Sequence, residues 1–490
     1  MKKGEDLLLV NAGGSKKRVY QDLSRDYSAI EPPFWAALTA GFIRKKGFST
    51  DLIDANVENL SYQETAFLIE QHNPRLVNIV VYGQHPSAST QLMTSVGELC
   101  KEIKKQNKER KIILTGLHPS ALPLRTIVEE ETDYVAEGEG FYTLKGLLEK
   151  KTLEIIPGLW WKEKGIIHNT PRAKNITDLT TELNDVAWDL IPNLDMYKAH
   201  NWQCLGNLNE RRNYASLSTS LGCPHRCEFC SISATFGEHK TRYWSPEWVL
   251  NQIDFLVNEK GMKNLKIIDE EFTLWDKHFM PIVEGLIERD YGLNIWAYTR
   301  VSNIPDKENL KKMKKAGFNW LCPGIESGDA TVRQKNSKEG YDDLDIVDGI
   351  KRMQDAGINV LGNYVFGITG ENEKSMKKTF ELAKKLNCEF ANFYCAIAWP
   401  GSELYNQSLE KGIRMPERWQ DYAQHSAGFI PLPTETLSPE EVLRFRDKAF
   451  DNYFTNPKYL KMIEGKFGLG ARKHIKEMTK IKLKRRLLEK

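Results

Sequence analysis

The chain has 490 residues, of which 41% are hydrophobic and 28% charged, and its formal net charge is +3. That length holds two or three domains with cores of their own, and the composition is that of an ordinary globular protein. No apolar run reaches the roughly 18 residues of a membrane span, and Leu7-Leu8-Leu9-Val10 is too short for a secretory leader and reads as a strand. A cytoplasmic protein with no nucleic-acid partner is expected. There thiols stay reduced, so the eight cysteines point to metal binding or burial instead of disulfides.

The first 150 residues alternate between short apolar runs and helical periodicity. Strands are expected at 6–10, 50–54, 76–81, 111–115 and 134–136, with helices at 34–46, 62–72, 92–106, 124–130 and 142–150. Apolar strands without alternation suit a sheet covered on both faces. Five such units in series predict a parallel, doubly wound, Rossmann-like domain over 1–150. Its ligand belongs at the carboxyl ends of the strands, where strand order reverses. Those ends carry Asn11-Ala-Gly-Gly14, Tyr82-Gly83-Gln84-His85, Gly116-Leu-His118-Pro119 and Glu137-Gly138-Glu139-Gly140.

Residues 151–213, with prolines and the Trp160-Trp161 pair, read as a connector. The rhythm then restarts at 215–220, with further strands expected at 265–268, 294–299, 320–323, 359–366 and 390–396 and helices between them. Six units over 214–405 suggest a partial (β/α)6 barrel of the TIM type, whose active residues belong at the strand carboxyl ends. Residues 406–490 read as a helical extension. Within it, 466–490 carries ten Lys/Arg and two Glu, a balance of +8, which leaves −5 for the rest. A basic amphipathic terminal helix could touch an anionic membrane or nucleic acid; more often such a tail is a solvated face.

The loop after the first barrel strand holds Cys223, Cys227 and Cys230 with Phe229 before the last. Three thiolates hold three irons of a [4Fe–4S] cube and leave one iron open. Structural zinc is the alternative; it needs a fourth ligand, for which His225 is at hand but poorly spaced. Other barrel strand ends carry Asp269-Glu270-Glu271, Arg300, Gly324-Ile-Glu326-Ser327-Gly328, Gly367-Ile-Thr-Gly370-Glu and Pro400-Gly-Ser. Cys322 and Cys395, on barrel strands, read as small buried side chains, and Cys100, Cys204 and Cys388 have no assigned role.

The C-x3-C-x2-C spacing with its aromatic residue, and Gly-Ile-Glu-Ser-Gly, resemble the radical SAM superfamily. The strand ends at 116–123 and 133–140, with Glu31-Pro-Pro33, resemble the cobalamin-binding domain that precedes many radical SAM barrels. The resemblance covers about residues 5–405. It implies a [4Fe–4S] cluster on the three cysteines. S-adenosylmethionine (SAM) would be held by Phe229, Glu270, Arg300, Glu326, Ser327 and Gly367. Cobalamin would lie near Asn11, Gly83, Gln84, Gly116, His118, Glu137 and Gly138. The Asp-x-His-x-x-Gly motif of histidine-ligated cobalamin is absent: the matching stretch is Asn11-Ala-Gly-Gly-Ser-Lys-Lys-Arg18. The family further implies a C-methyltransferase acting on a small-molecule or lipid substrate, with an external donor such as flavodoxin or ferredoxin. The alternatives are an oxidative cyclase or rearrangement enzyme and a non-catalytic iron–sulfur sensor. A methylthiotransferase would need an added N-terminal cysteine cluster, and the first 200 residues contain only Cys100.

Overall fold

The computed structural model describes residues 4–14, 16–24, 26–83, 86–338, 340 and 342–489. The first sheet begins with five parallel strands: β1 (Leu7–Asn11), β2 (Thr50–Asp54), β3 (Leu76–Val81), β4 (Ile112–Gly116) and β5 (Tyr134–Ala136). The order β2-β1-β3-β4-β5 reverses between β1 and β3. Alternation along β1 builds two cores: Leu7 and Leu9 face the helix Phe34–Lys45, while Leu8 and Val10 face the helices Tyr62–His72 and Met93–Gln106. All four are fully buried. This is why the strand reads as an unbroken apolar run.

The segment read as a connector extends this sheet. β6 (Leu159–Glu163) pairs antiparallel with β5 and with β7 (Ile166–Asn169). The hairpin turns at Lys164-Gly165, both at positive φ, as a two-residue turn between twisted strands requires. Trp161 is buried beneath it.

The second sheet comprises β8 (Tyr214–Leu217), β11 (Asn264–Ile267), β12 (Asn294–Arg300), β13 (Phe318–Glu326), β14 (Asn359–Phe366) and β15 (Phe390–Cys395), all parallel and in that order. The short antiparallel pair β9 (Ser220–Leu221) and β10 (Arg242–Tyr243) flanks the cysteine loop. β8 and β15 do not pair, so the barrel has an open seam.

The extension covers the β15 edge. Tyr453 on the helix Pro439–Phe454 and Tyr459 on the helix Pro457–Lys480 donate to the carbonyls of Cys388 (2.7 Å) and Glu389 (3.1 Å). Beyond Lys480 the basic tail is not a free amphipathic helix. It runs back irregularly, with Arg485 buried and the Lys484 N–H donating to Gln21 Oε1 at 3.0 Å.

Buried polar contacts join the barrel, and the segment that precedes it, to the N-terminal domain. Lys266 on β11 meets Glu31 at 3.0 Å, Arg242 meets Glu139 at 2.7 Å, and the Tyr197 hydroxyl donates to Asp54 Oδ2 at 2.7 Å.

Candidate active site

The cysteine loop leaves β8 through Thr219 and Ser220. Asp269 fixes this exit: it accepts from the Thr219 N–H at 2.6 Å and from the Ser220 hydroxyl at 2.7 Å. Asp269 is thereby committed and does not bridge Arg300. At Gly222, φ is +89° and a Cβ would stand 2.3 Å from the Lys240 carbonyl oxygen, so only glycine lets the loop turn under β10.

Cys223, Cys227 and Cys230 are free thiols on the wall of a cavity of about 460 Å³ at the carboxyl end of the barrel. Burial pushes the Cys223 thiol up to about 12 and the Cys230 thiol well above its ordinary value, so an unmetallated loop keeps them protonated. A single zinc ion would draw its sulfurs to about 3.8 Å of one another, given Zn–S bonds near 2.3 Å. The three sulfurs do not all lie within 4.8 Å of one another. His225 is engaged elsewhere, its Nε2 lying 2.8 Å from Glu271 Oε2. The donor set suits a wider, all-thiolate cluster and not a mononuclear site.

Around the loop, Arg300 closes β12 with Nη1 3.8 Å from Cys227 Sγ and Nη2 donating to the Ser337 carbonyl at 3.2 Å. Glu326 closes β13 at φ +61°, a left-handed conformation uncommon for glutamate, and pairs with Lys338 at 3.0 Å. Phe229 packs against a small cluster that includes Ala398 and Leu404 and lines the same cavity. Glu270 has no hydrogen-bond partner among the described residues. Burial and then the neighbouring Asp269 push its carboxyl up to about 8.

Two of the expected SAM residues stand back from the cavity wall. The Ser327 hydroxyl donates to Glu371 Oε1 at 3.2 Å, and the Gly367 N–H donates to Glu371 Oε2 at 2.6 Å. Glu371, which the sequence did not single out, thus ties the β13 and β14 loops together. Its only signal was a carboxylate one residue beyond Gly370.

A second cavity, of about 120 Å³, lies at the β1/β3 reversal. Asn11 and Gly83 line it, with Lys16, Trp35 and Tyr82. Trp35 stacks on Tyr82 at 4.8 Å, and among the described residues its buried Nε1 has no acceptor. The stacked Trp35 and Tyr82 rings give this cavity a flat aromatic wall, the kind of surface against which a planar macrocycle such as a corrin packs, although about 120 Å³ admits only part of one. Trp35 is the residue sequence reading missed here, although Glu31-Pro-Pro-Phe34 pointed at its neighbourhood. Glu270 and Ile268 line both cavities.

The remaining expected cobalamin residues line neither cavity. A Cβ on Gly116 would stand 2.3 Å from the Val81 carbonyl oxygen, so the glycine is required by β3. His118 is buried, with Nδ1 3.1 Å from Thr90 Oγ1 and its ring against Trp419. Glu137 accepts from Trp160 Nε1 at 2.9 Å, and the Gly138 N–H donates to Ser120 Oγ at 2.8 Å. Gln84 and His85 lie outside the described residues.

Comparison with known proteins bears on the same two regions. Residues 217–383 match the model of the radical SAM superfamily and residues 22–148 that of the B12 binding domain. The chain belongs to the radical SAM enzymes that carry a cobalamin-binding domain. The enzyme's cofactors are therefore the iron–sulfur cluster and SAM of the one family and the cobalamin of the other.

An uncharacterized methyltransferase of Pyrococcus horikoshii is 27% identical over 443 residues, covering 89% of this chain and 91% of that one. The anaerobic magnesium-protoporphyrin IX monomethyl ester cyclase of Cereibacter sphaeroides is 26% identical over 86% of this chain and 66% of its own length. The enzyme shares its fold with TsrM, a radical SAM methyltransferase from Kitasatospora setae solved with cobalamin and a [4Fe–4S] cluster. The TM-score is 0.68 at 15% identity, over 93% and 90% of the two chains. OxsB, solved with aqua-cobalamin and SAM, gives 0.67 at 14% identity over 94% and 70%. Among the described residues no helix is long and apolar enough to cross a membrane.

Proposed function

We propose that the enzyme transfers a methyl group from SAM, by way of cobalamin, to an unactivated carbon of a small-molecule substrate. The observation that carries this reading is the shared wall: Glu270 and Ile268 face both the cysteine-lined cavity and the cavity at the β1/β3 reversal. Methyl donor and radical source would then meet one substrate in one space. When bound, the cofactors supply the radical and the methyl group; the protein supplies position and excludes water.

In this reading Cys223, Cys227 and Cys230 hold the [4Fe–4S] cluster. Arg300 stabilises the Cys227 thiolate through its Nη1 and lowers the local negative charge. Glu270 takes the SAM ammonium. An approaching cation favours the ionised carboxyl and reverses the effect of burial, so the pair forms only when the ligand arrives. Glu326 orients the SAM ribose or methionine moiety while Lys338 holds its carboxylate. Ser327 and Gly367 act one step back, through Glu371. Asn11, Gly83 and Trp35 receive the corrin. An external flavodoxin or ferredoxin supplies the electron.

The tail gives little support to a membrane-bound lipid substrate: Lys482 is paired with Asp451 and Arg485 with Asp447. Oxidative cyclisation without methyl transfer is the second reading, favoured by the long alignment with the cyclase.

The test is anaerobic reconstitution with iron, sulfide, SAM and hydroxocobalamin. Methylation requires corrin uptake and S-adenosylhomocysteine formed together with 5′-deoxyadenosine. Deoxyadenosine alone selects cyclisation or rearrangement. No corrin uptake and no methyl transfer to any acceptor would end the methyltransferase reading.

A further inference from the structure

The cysteine-lined cavity has a further stretch of wall that no motif announced. It is built where the helix Pro439–Phe454 crosses the end of β15. Arg446 lies there, 6% exposed, on the lining of the same cavity as the three cysteines. Its Nε donates to the Phe393 carbonyl at 2.7 Å and its Nη1 to Asp447 Oδ1 at 2.8 Å. Among the described residues Nη2 has no acceptor.

The charge around this guanidinium does not balance. Arg485, 6% exposed, donates to both oxygens of the same Asp447 carboxylate at 3.1 Å. Its Nη1 also reaches the carbonyls of Gln424 (2.8 Å) and Ser426 (3.5 Å). Two guanidiniums on nearly buried side chains therefore share one carboxylate that is itself 32% exposed, a local surplus of one positive charge. The nearby acids do not cancel it: Asp421 pairs with Arg418, Asp451 with Lys482, and Glu326 with Lys338. Burial, then Arg446 and Arg485, push the His425 imidazole down to about 3, so the histidine on the same wall stays neutral. A buried unbalanced charge is costly unless a counter-charge arrives.

Aromatic side chains surround this charge. Phe450 lies under the guanidinium, 5.5 Å from ring centroid to Cζ, and Phe393, Tyr394, Trp296 and Tyr298 continue the lining down the barrel.

We propose that Arg446 is the anion-binding end of the substrate site, and that the substrate is an organic acid: a carboxylate held by Nη2, on a flat apolar body lying along the aromatic wall towards the cysteines. This assignment of substrate class rests on the reading of the cavity as the site of the radical reaction. A carboxylate there makes a charge-assisted bond to a guanidinium whose side chain is otherwise nearly buried. The SAM carboxylate is the other source of the same chemistry.

The test uses calorimetric titration of the cluster- and cobalamin-loaded full chain, with and without SAM. The probes are 2-naphthoate and its neutral isostere 2-naphthamide. The wild-type enzyme is expected to bind naphthoate about tenfold or more tightly than naphthamide, the range of a hydrogen bond to a charged group. R446M removes that preference and leaves naphthamide binding unchanged, whereas R446K keeps part of it. D447N, which removes the shared counter-charge, moves naphthoate the other way and tightens it; a merely structural lesion does not do this. Equal affinity for the two probes in wild type, or an unchanged preference in R446M, overturns the proposal. So does a loss of SAM affinity in R446M with naphthoate binding intact, which assigns the arginine to the cofactor. None of these readings depends on turnover, so a failure of methyl transfer is scored separately.

Discussion

Lys266 reaches from the barrel into the N-terminal domain, with its Nζ 3.0 Å from Glu31 Oε2 and 3.1 Å from Oε1. Their side chains are 1% and 8% exposed. Burial opposes ionisation of Glu31, but Lys266 and His200 together hold its carboxyl below the usual range. The pair sits where the two cavities adjoin and fixes how the domains face each other. Breaking one side leaves a buried charge, which costs about 3–5 kcal/mol. K266M and E31Q should each lower the unfolding free energy read from guanidinium titration by that order. The double variant should cost less than the sum, because neither charge is then stranded. Additive losses in the double-mutant cycle would mean that the two residues act independently.

The three loop cysteines and the barrel cysteines should part company on reconstitution. C223S, C227S and C230S are each expected to lose the cluster's visible absorption and most of the bound iron. C322S and C395S should keep both. Cys322 and Cys395 are buried on β13 and β15, with thiols pushed up by burial, and behave as small core side chains. Iron retained by any loop variant, measured with ferrozine, would remove that cysteine from the ligand set.

Glu371 predicts a pH dependence. Burial pushes its carboxyl up to about 8, against hydrogen bonds from Gly367 and Ser327 that favour the ionised form. Between the ordinary value of 4.5 and about 8 the native state holds a proton that the unfolded chain has released. Stability is thus fully present below 4.5 and declines as pH rises through that window, at roughly 1.4 kcal/mol per pH unit for one such group. E371Q should flatten the urea midpoint between pH 5 and 8 relative to wild type. An unchanged slope would show that Glu371 is ionised in the native state.

His118 should not ligate cobalt. It is buried against Trp419, its Nδ1 is turned to Thr90, and burial, then Arg125, push the imidazole down to about 3. H118N is expected to leave the visible spectrum of bound hydroxocobalamin, and the electron-spin spectrum of its reduced form, as in wild type. Loss of nitrogen hyperfine structure in the variant would make the histidine a ligand after all.

Much of the architecture is legible locally because the signals are local. The segments at 50–54, 76–81, 134–136 and 359–366 coincide with β2, β3, β5 and β14, since strands buried on both faces leave short, mainly apolar runs even where an Asp or Asn interrupts them. The hairpin at Trp160-Trp161 was hidden because its pairing with β5 is a long-range event. Its own alternation, with Trp161 buried and Lys162 exposed, was present. Lys266 was a missed signal of another kind: a lysine inside Asn-Leu-Lys-Ile-Ile on a strand otherwise buried implies a buried partner, but not which one.

By itself the sequence determined the three-cysteine loop and its place after the first barrel strand. Spacing along one short segment decides which metal chemistry a loop supports. The tertiary structure alone decided that Glu371 accepts from the Ser327 hydroxyl and the Gly367 N–H, that the basic tail folds back onto Asp447, and that Arg446 lines the same cavity as the cysteines. Those relations join residues dozens to hundreds of positions apart, and which charge is compensated depends on what packing has brought within 4 Å of it.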